Sequence, residues 1–151
     1  MSDEPLTNAA VEWVRGLFSF WNSLDAPPIF DPATLPPDFV FEDRRSTINF
    51  GQMDAPEFQK YVAASWGLGD EPPQRSITEV LAVRGQRSAA YLQLLDLGNG
   101  SVVESVYCIR LTPDLQLPER SVQFDIEDVD EAIAELDRMH GDIDDDPETP
   151  S

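Results

Sequence analysis

From Gln74 to Asp125 apolar and polar side chains recur with a period of two, in four successive runs: Gln74–Arg84, Arg87–Leu97, Ser101–Leu111 and Leu117–Asp125. A period of two marks strands with two distinct faces. The breaks between the runs are short. Gly85-Gln86 suits a two-residue hairpin with glycine first, Gly98-Asn99-Gly100 a three-residue one, and Pro113-Asp114 a looser turn. Strands joined this tightly run antiparallel, so the second half of the chain is a meander. Such a sheet must bury at least one face, and the material to bury it comes earlier in the chain.

Two amphipathic helices precede the meander. Residues 7–24 read as the first, with Thr7 as N-cap and a wide apolar stripe that includes Trp13, Leu17, Phe18 and Trp21. Asp54-Ala-Pro-Glu57 opens the second, with an Asp cap, an early proline and a Glu that can reach back to it. Phe58, Tyr61, Val62 and Trp66 follow at helical spacing, and Gly67 and Gly69 stop it. Between the helices the prolines of 25–37 break any long helix, leaving room for a short turn at Pro32–Leu35. Residues 38–45 then read as a strand, with Phe39, Phe41 and Asp43 on one face and Val40, Glu42 and Arg44 on the other. Ser46–Met53 is a loop or a short second strand. A last helix over 126–140 carries Val129, Ile133, Leu136 and Met139 on one side, and Gly141 ends it. The expected fold class is α+β: a cone-shaped, curved antiparallel sheet wrapped around the N-terminal helices, with an extra C-terminal helix. Residues 1–141 form one domain in this reading, and 142–151 an acidic, disordered tail.

Several strands are apolar on both faces: Tyr91 and Leu95 alternate with Leu92 and Leu94, and Ile77 and Leu81 with Val80 and Ala82. A second apolar face left in water would be a large exposed patch on a highly charged protein. A homodimer packed through the outer sheet face resolves this; a strand register displaced by one residue is the other explanation.

Charge narrows the partners. The formal net charge is −19, and of ten basic residues only Lys60 is a lysine. A chain this acidic repels the nucleic-acid backbone and anionic membrane surfaces. No apolar run is long enough to span a membrane, and the acidic MSDEPLTN start lacks the features of a signal peptide, so a cytoplasmic protein is expected. One histidine, His140, and one cysteine, Cys108, exclude a Cys/His zinc site, an internal disulfide and His-dependent nucleophilic triads. The acids Glu127, Asp128, Asp130 and Glu131 fall in the first turns of a helix, where acids are favoured without a metal. No phosphate-binding glycine loop is present, so neither a metal nor a nucleotide cofactor is expected.

The order helix, short turn, strand, helix and four meandering strands resembles the nuclear transport factor 2-like superfamily over about residues 8–140. Ketosteroid isomerases, SnoaL-like polyketide cyclases, scytalone dehydratases and limonene epoxide hydrolases share that fold. Phe41-Glu-Asp43 resembles the Val-Glu-Asp segment of ketosteroid isomerases, whose aspartate is the base that shuttles a proton. Leu81-Ala-Val-Arg-Gly85, with Phe124-Asp-Ile-Glu-Asp-Val-Asp-Glu-Ala132, looks like an actinobacterial SnoaL-like subgroup. The resemblance implies a base at Asp43 and puts Tyr107 where those isomerases carry a protonated aspartate. Their helix-borne tyrosine has only Leu17 or Phe18 as its counterpart here, and the Asp-Arg-Asp relay of limonene epoxide hydrolases has none.

Asp43 stands at the end of an aromatic row, on the face where a core belongs. In an apolar cavity its pKa would rise toward neutrality and suit it to proton transfer. Arg45, two residues on, can share that face and hold Asp43 in a structural ion pair instead. Tyr107 can orient a ligand oxygen or serve as a core tyrosine. Trp13, Leu17, Phe41, Arg45, Tyr61, Trp66 and Ile109 complete the expected binding surface. The function expected is binding of a small, largely apolar molecule, with cofactor-free isomerase, cyclase or dehydratase chemistry as its extension. The competing reading is a sensing or dimerisation module whose cavity is filled by side chains.

Overall fold

In the computed structural model, which describes residues 6–28, 31–46, 51–68, 71–98 and 100–141, the first helix, α1, spans Ala9–Asn22. Its cap is Asn8 rather than Thr7: Asn8 Oδ1 accepts from the Val11 backbone N–H at 3.0 Å. The Asn8 amide also donates to the carbonyls of Gly85 and Ser88 at 2.9 and 2.8 Å, tying the helix start to a distant hairpin. A threonine hydroxyl could not meet both demands. At the other end Asn22 clamps the first residues of the meander, accepting from Arg75 N at 2.7 Å and donating to Arg75 O at 2.8 Å. Helix α2 spans Ala55–Ala64 behind the full Asp54/Glu57 capping box and runs into a 3₁₀ turn at Ser65–Gly67.

The strands are β1 (Val40–Asp43), β2 (Gly51–Met53), β3 (Gln74–Arg84), β4 (Ser88–Asp96), β5 (Val102–Leu111) and β6 (Pro118–Phe124). They form one sheet in the order β2-β1-β6-β5-β4-β3, curved but not closed into a barrel. All pairs are antiparallel except β1 with β6. The parallel pair has a simple origin. The meander occupies one edge of β6, and the long connection from Asp43 to Pro118 lets β1 reach the other in the same direction. The turn between β3 and β4 has three residues, since Arg84 pairs with Ser88, and Gly85 takes a φ of +52°. Arg87 leaves the strand for a buried ion pair with Glu119 at 3.0 Å and a hydrogen bond to Leu111 O at 2.8 Å.

Two register shifts interrupt β3, between Ile77 and Glu79 and between Val80 and Ala82. Each adds a residue to one strand and reverses the facing of the residues beyond it. Ile77, Val80 and Val83 therefore join the core under α1 and α2, while Leu81 and Ala82 pack on the opposite side. Strict alternation, with Ile77 grouped with Leu81, does not hold here.

The outer face has its own cover. Helix α3 (Val129–Gly141), entered through a 3₁₀ turn at Ile126–Asp128, lays Ala132, Leu136 and Met139 on Ala90, Val106, Cys108, Val122 and Phe124. The apolar rows that suggested sheet-to-sheet pairing are, over this area, buried by the chain's own helix. Glu135 anchors it from within, pairing with Arg44 at 2.7 Å, Arg138 at 2.9 Å and Arg120 at 3.7 Å. Cys108 is fully buried beneath α3, and desolvation pushes its thiol pKa up to about 12. Among the described residues no helix is long and apolar enough to cross a membrane. Gly69, Asn99, the 47–50 part of the Ser46–Met53 segment and the 142–151 tail lie outside the described residues.

Candidate functional site

Curvature of the sheet around α1 and α2 leaves a cavity of about 650 Å³, within the size range of small-molecule sites. Helix α1 contributes Trp13, Leu17, Phe18 and Trp21, the residues its 3.6-residue period turns to one side. Phe41 faces in from β1, and its ring stacks on Phe58 of α2 at 4.9 Å and lies 5.4 Å from Tyr61. Across the sheet, Tyr91 and Tyr107 are paired residues on β4 and β5, stacked with centroids 5.6 Å apart; Ile109 extends that row. Phe20 and the exposed Asp25, Ala26 and Pro27 also border the space, so this end meets solvent. A cavity of this size is not packed solid by side chains, unlike the filled barrel of the competing reading.

Six of the residues expected at the site line it: Trp13, Leu17, Phe41, Tyr61, Tyr107 and Ile109. Asp43, Arg45 and Trp66 do not. Asp43 is fully buried, and Arg45 meets it through three donors: the backbone N–H at 3.0 Å, Nε at 3.0 Å and Nη2 at 2.9 Å. The Arg45 Nη2 also donates to the Tyr61 hydroxyl at 3.2 Å, which donates onward to Gln123 Oε1 at 2.8 Å. Gln123 in turn donates to Ser105 Oγ at 3.0 Å. The acid thus sits in a satisfied polar network behind the aromatic wall. Burial is the largest single influence on the Arg45 pKa and would lower it, but bonding to Asp43 together with the neighbouring Tyr61 and Tyr107 outweighs it and the net shift is upward.

Burial raises the pKa of Tyr61, and raises those of Tyr91 and Tyr107 further, so these phenols stay protonated over the physiological range. They can donate or accept a hydrogen bond but cannot serve as resting bases.

Sequence reading overlooked Arg75. It is 8% exposed, lines the cavity, and lies against two nearly perpendicular indoles, its guanidinium carbon 5.1 Å from the Trp21 ring centroid and 5.3 Å from that of Trp66. One nitrogen, Nη2, donates to Ser65 Oγ at 2.9 Å. The other, Nη1, is buried without a hydrogen-bond partner, as is Trp66 Nε1. Desolvation lowers the Arg75 pKa, and the groups that oppose that shift are the phenols of Tyr107, Tyr61 and Tyr91. The available signal was an arginine among the inward-facing residues of an otherwise apolar sheet.

No protein-family model matches the sequence, and no curated protein does. Similarity appears in solved structures. AusH from Aspergillus nidulans superposes with a TM-score of 0.62 at 12% identity, over 83% of this chain and 97% of that one. BvnE pinacolase from Penicillium brevicompactum gives 0.57 at 10% identity, covering 91% and 98%. Delta 5-3-ketosteroid isomerase from Mycobacterium sp. gives 0.54 at 12% identity, covering 81% and 96%. The chain has the nuclear transport factor 2-like fold. In that fold the concave face of the sheet and the two N-terminal helices bound the cavity described above. At this level of identity the likeness concerns architecture alone, and the chemistry has to come from this chain's own side chains.

Proposed function

We propose that this chain binds a small, largely apolar molecule in the cavity bounded by α1, α2 and the inner face of the sheet. The supporting observation is a space of about 650 Å³ walled by aromatic and aliphatic side chains, with few polar groups to orient an occupant. Water in such a space finds few partners, so an apolar body displaces it favourably. The neighbours named as an isomerase and a pinacolase make chemistry in this fold familiar. In this chain we assign Asp43 a structural role, because Arg45 occupies it through three donors and it does not line the cavity. A homodimer through the outer sheet face would have to use the part of β3–β5 that α3 leaves uncovered, and ligand binding does not depend on it.

The test is uptake of the fluorescent apolar probe N-phenyl-1-naphthylamine. The wild-type protein should show saturable enhancement of its emission. Ile109→Trp and Leu17→Trp, which extend bulk into the cavity, should reduce uptake at least about tenfold. Undiminished binding by both folded variants would place the probe elsewhere and remove the reading.

A further inference from the structure

Among the described residues Arg75 is the one buried guanidinium in the cavity wall, and nothing in the binding reading accounts for its charge. None of the described carboxylates lies within ion-pair distance of it, in a protein whose acids outnumber its basic residues by 29 to 10. The contrast with the chain's other arginines is informative. Arg44, Arg45, Arg87, Arg110 and Arg120 each pair with a glutamate or aspartate. An uncompensated buried cation is costly, and a buried donor with no partner normally finds water, an ion or a ligand.

We propose that the molecule held in this cavity is an amphipathic acid whose single carboxylate pairs with the Arg75 guanidinium. This rests on the binding reading above and adds the class of ligand. Three features favour a carboxylate. The indoles of Trp21 and Trp66, set nearly perpendicular to each other, flank the guanidinium without enclosing it, and a planar carboxylate matches a guanidinium edge. Ser65 Oγ fixes the orientation by holding Nη2, and is itself fixed by donating to Val62 O at 2.6 Å. Apart from Asp25 at the exposed border, the remaining polar lining consists of neutral groups, chiefly the phenols of Tyr61, Tyr91 and Tyr107 with Gln93 and Ser121. That is too little to solvate a dianion and well suited to one shared negative charge. The apolar body would lie against Phe18, Phe41 and Ile109.

A matched pair of twelve-carbon ligands, dodecanoate and dodecan-1-ol, tests the assignment by displacement of bound N-phenyl-1-naphthylamine. Dodecanoate should compete at least about tenfold more tightly than the alcohol at neutral pH, the usual scale of one charge-assisted bond. In Arg75→Met that preference should fall below about threefold, with alcohol binding kept. Arg75→Met should also melt no lower than wild type, because it removes an uncompensated buried charge. Arg75→Gln serves as a second uncharged variant with the same expected loss of preference. Equal competition by acid and alcohol in wild type, or an acid preference that survives in either variant, overturns the carboxylate and leaves the cavity reading standing. Dye that binds and is displaced by neither ligand overturns it too. A wild-type protein that takes up no dye removes both readings together.

Discussion

Asp43 and Arg75 are opposite solutions to the problem of a buried charge. Asp43 is fully buried with Arg45 bound to it, and the pair lies on one strand-end segment where two-residue spacing brings both side chains to the same face. Removing one member strands the other. Asp43→Asn should therefore destabilise the protein by about 3 kcal/mol, the usual cost of breaking a buried pair. Thermal denaturation should show a melting temperature lower by roughly 10 °C. A melting temperature within about 2 °C of wild type would mean that the pair is dispensable to the fold, and would return Asp43 to consideration as a reactive group. Among the described residues Arg75 has no such counter-charge, and its contacts with Trp21 and Trp66 offset only part of the desolvation.

At the scale of elements, α3 decides whether the sheet has one buried face or two. Its apolar residues Ala132, Leu136 and Met139 seal the outer core, and Glu135 ties it to β1 and β6 through Arg44 and Arg120. For Glu135, burial alone would raise the pKa, but bonds from Arg138 and Arg44 outweigh it and the net shift is downward. Glu42 shifts the same way, chiefly through Arg44. A carboxylate whose folded pKa is depressed stabilises the fold above its unfolded pKa and loses that contribution as pH falls through the folded one. Both glutamates have an ordinary value of 4.5, so their contribution is complete at neutral pH and fades only below that value. Glu135→Gln should lower stability at pH 7 by about 2 kcal/mol, the scale of a hydrogen bond to a charged group. Urea titrations should also show a shallower decline for this variant than for wild type between about pH 5 and 3. Parallel pH profiles for the two proteins would show that the anchor contributes nothing through its charge.

For the molecule as a whole, the net charge of −19 sets a background of self-repulsion. Its range in dilute buffer exceeds the spacing of surface groups, and moderate salt screens it. The buried pairs are sheltered from that screening, while an exposed pair such as Arg84 with Asp137 contributes little at any ionic strength. The melting temperature should consequently rise between low salt and about 0.5 M sodium chloride. A flat response in differential scanning calorimetry would show that the acids are too dispersed, or too well paired, to strain the fold.

The elements themselves were legible in the chain. Alternation over 74–125 reproduces the β3 boundaries, Gln74–Arg84, and displaces the other meander strands only at their ends. The Asp54/Glu57 signature places the start of α2, because capping and hydrophobic period are local and act within a few residues. The aromatic stripe of α1 and the Phe39, Phe41 row likewise announced a cup of greasy side chains. Tertiary structure alone decided the rest. Whether Asp43 is reactive depends on where Arg45 points. The two faces of β3 depend on register shifts against β4, and the cover of the outer sheet depends on where α3 docks. Arg75 gains its character only when Trp21 and Trp66 close over it from α1 and from the turn after α2. Side-chain periodicity follows from the geometry of a single segment, whereas the compensation of a buried charge is settled by groups far apart in the chain, and no local pattern encodes their meeting.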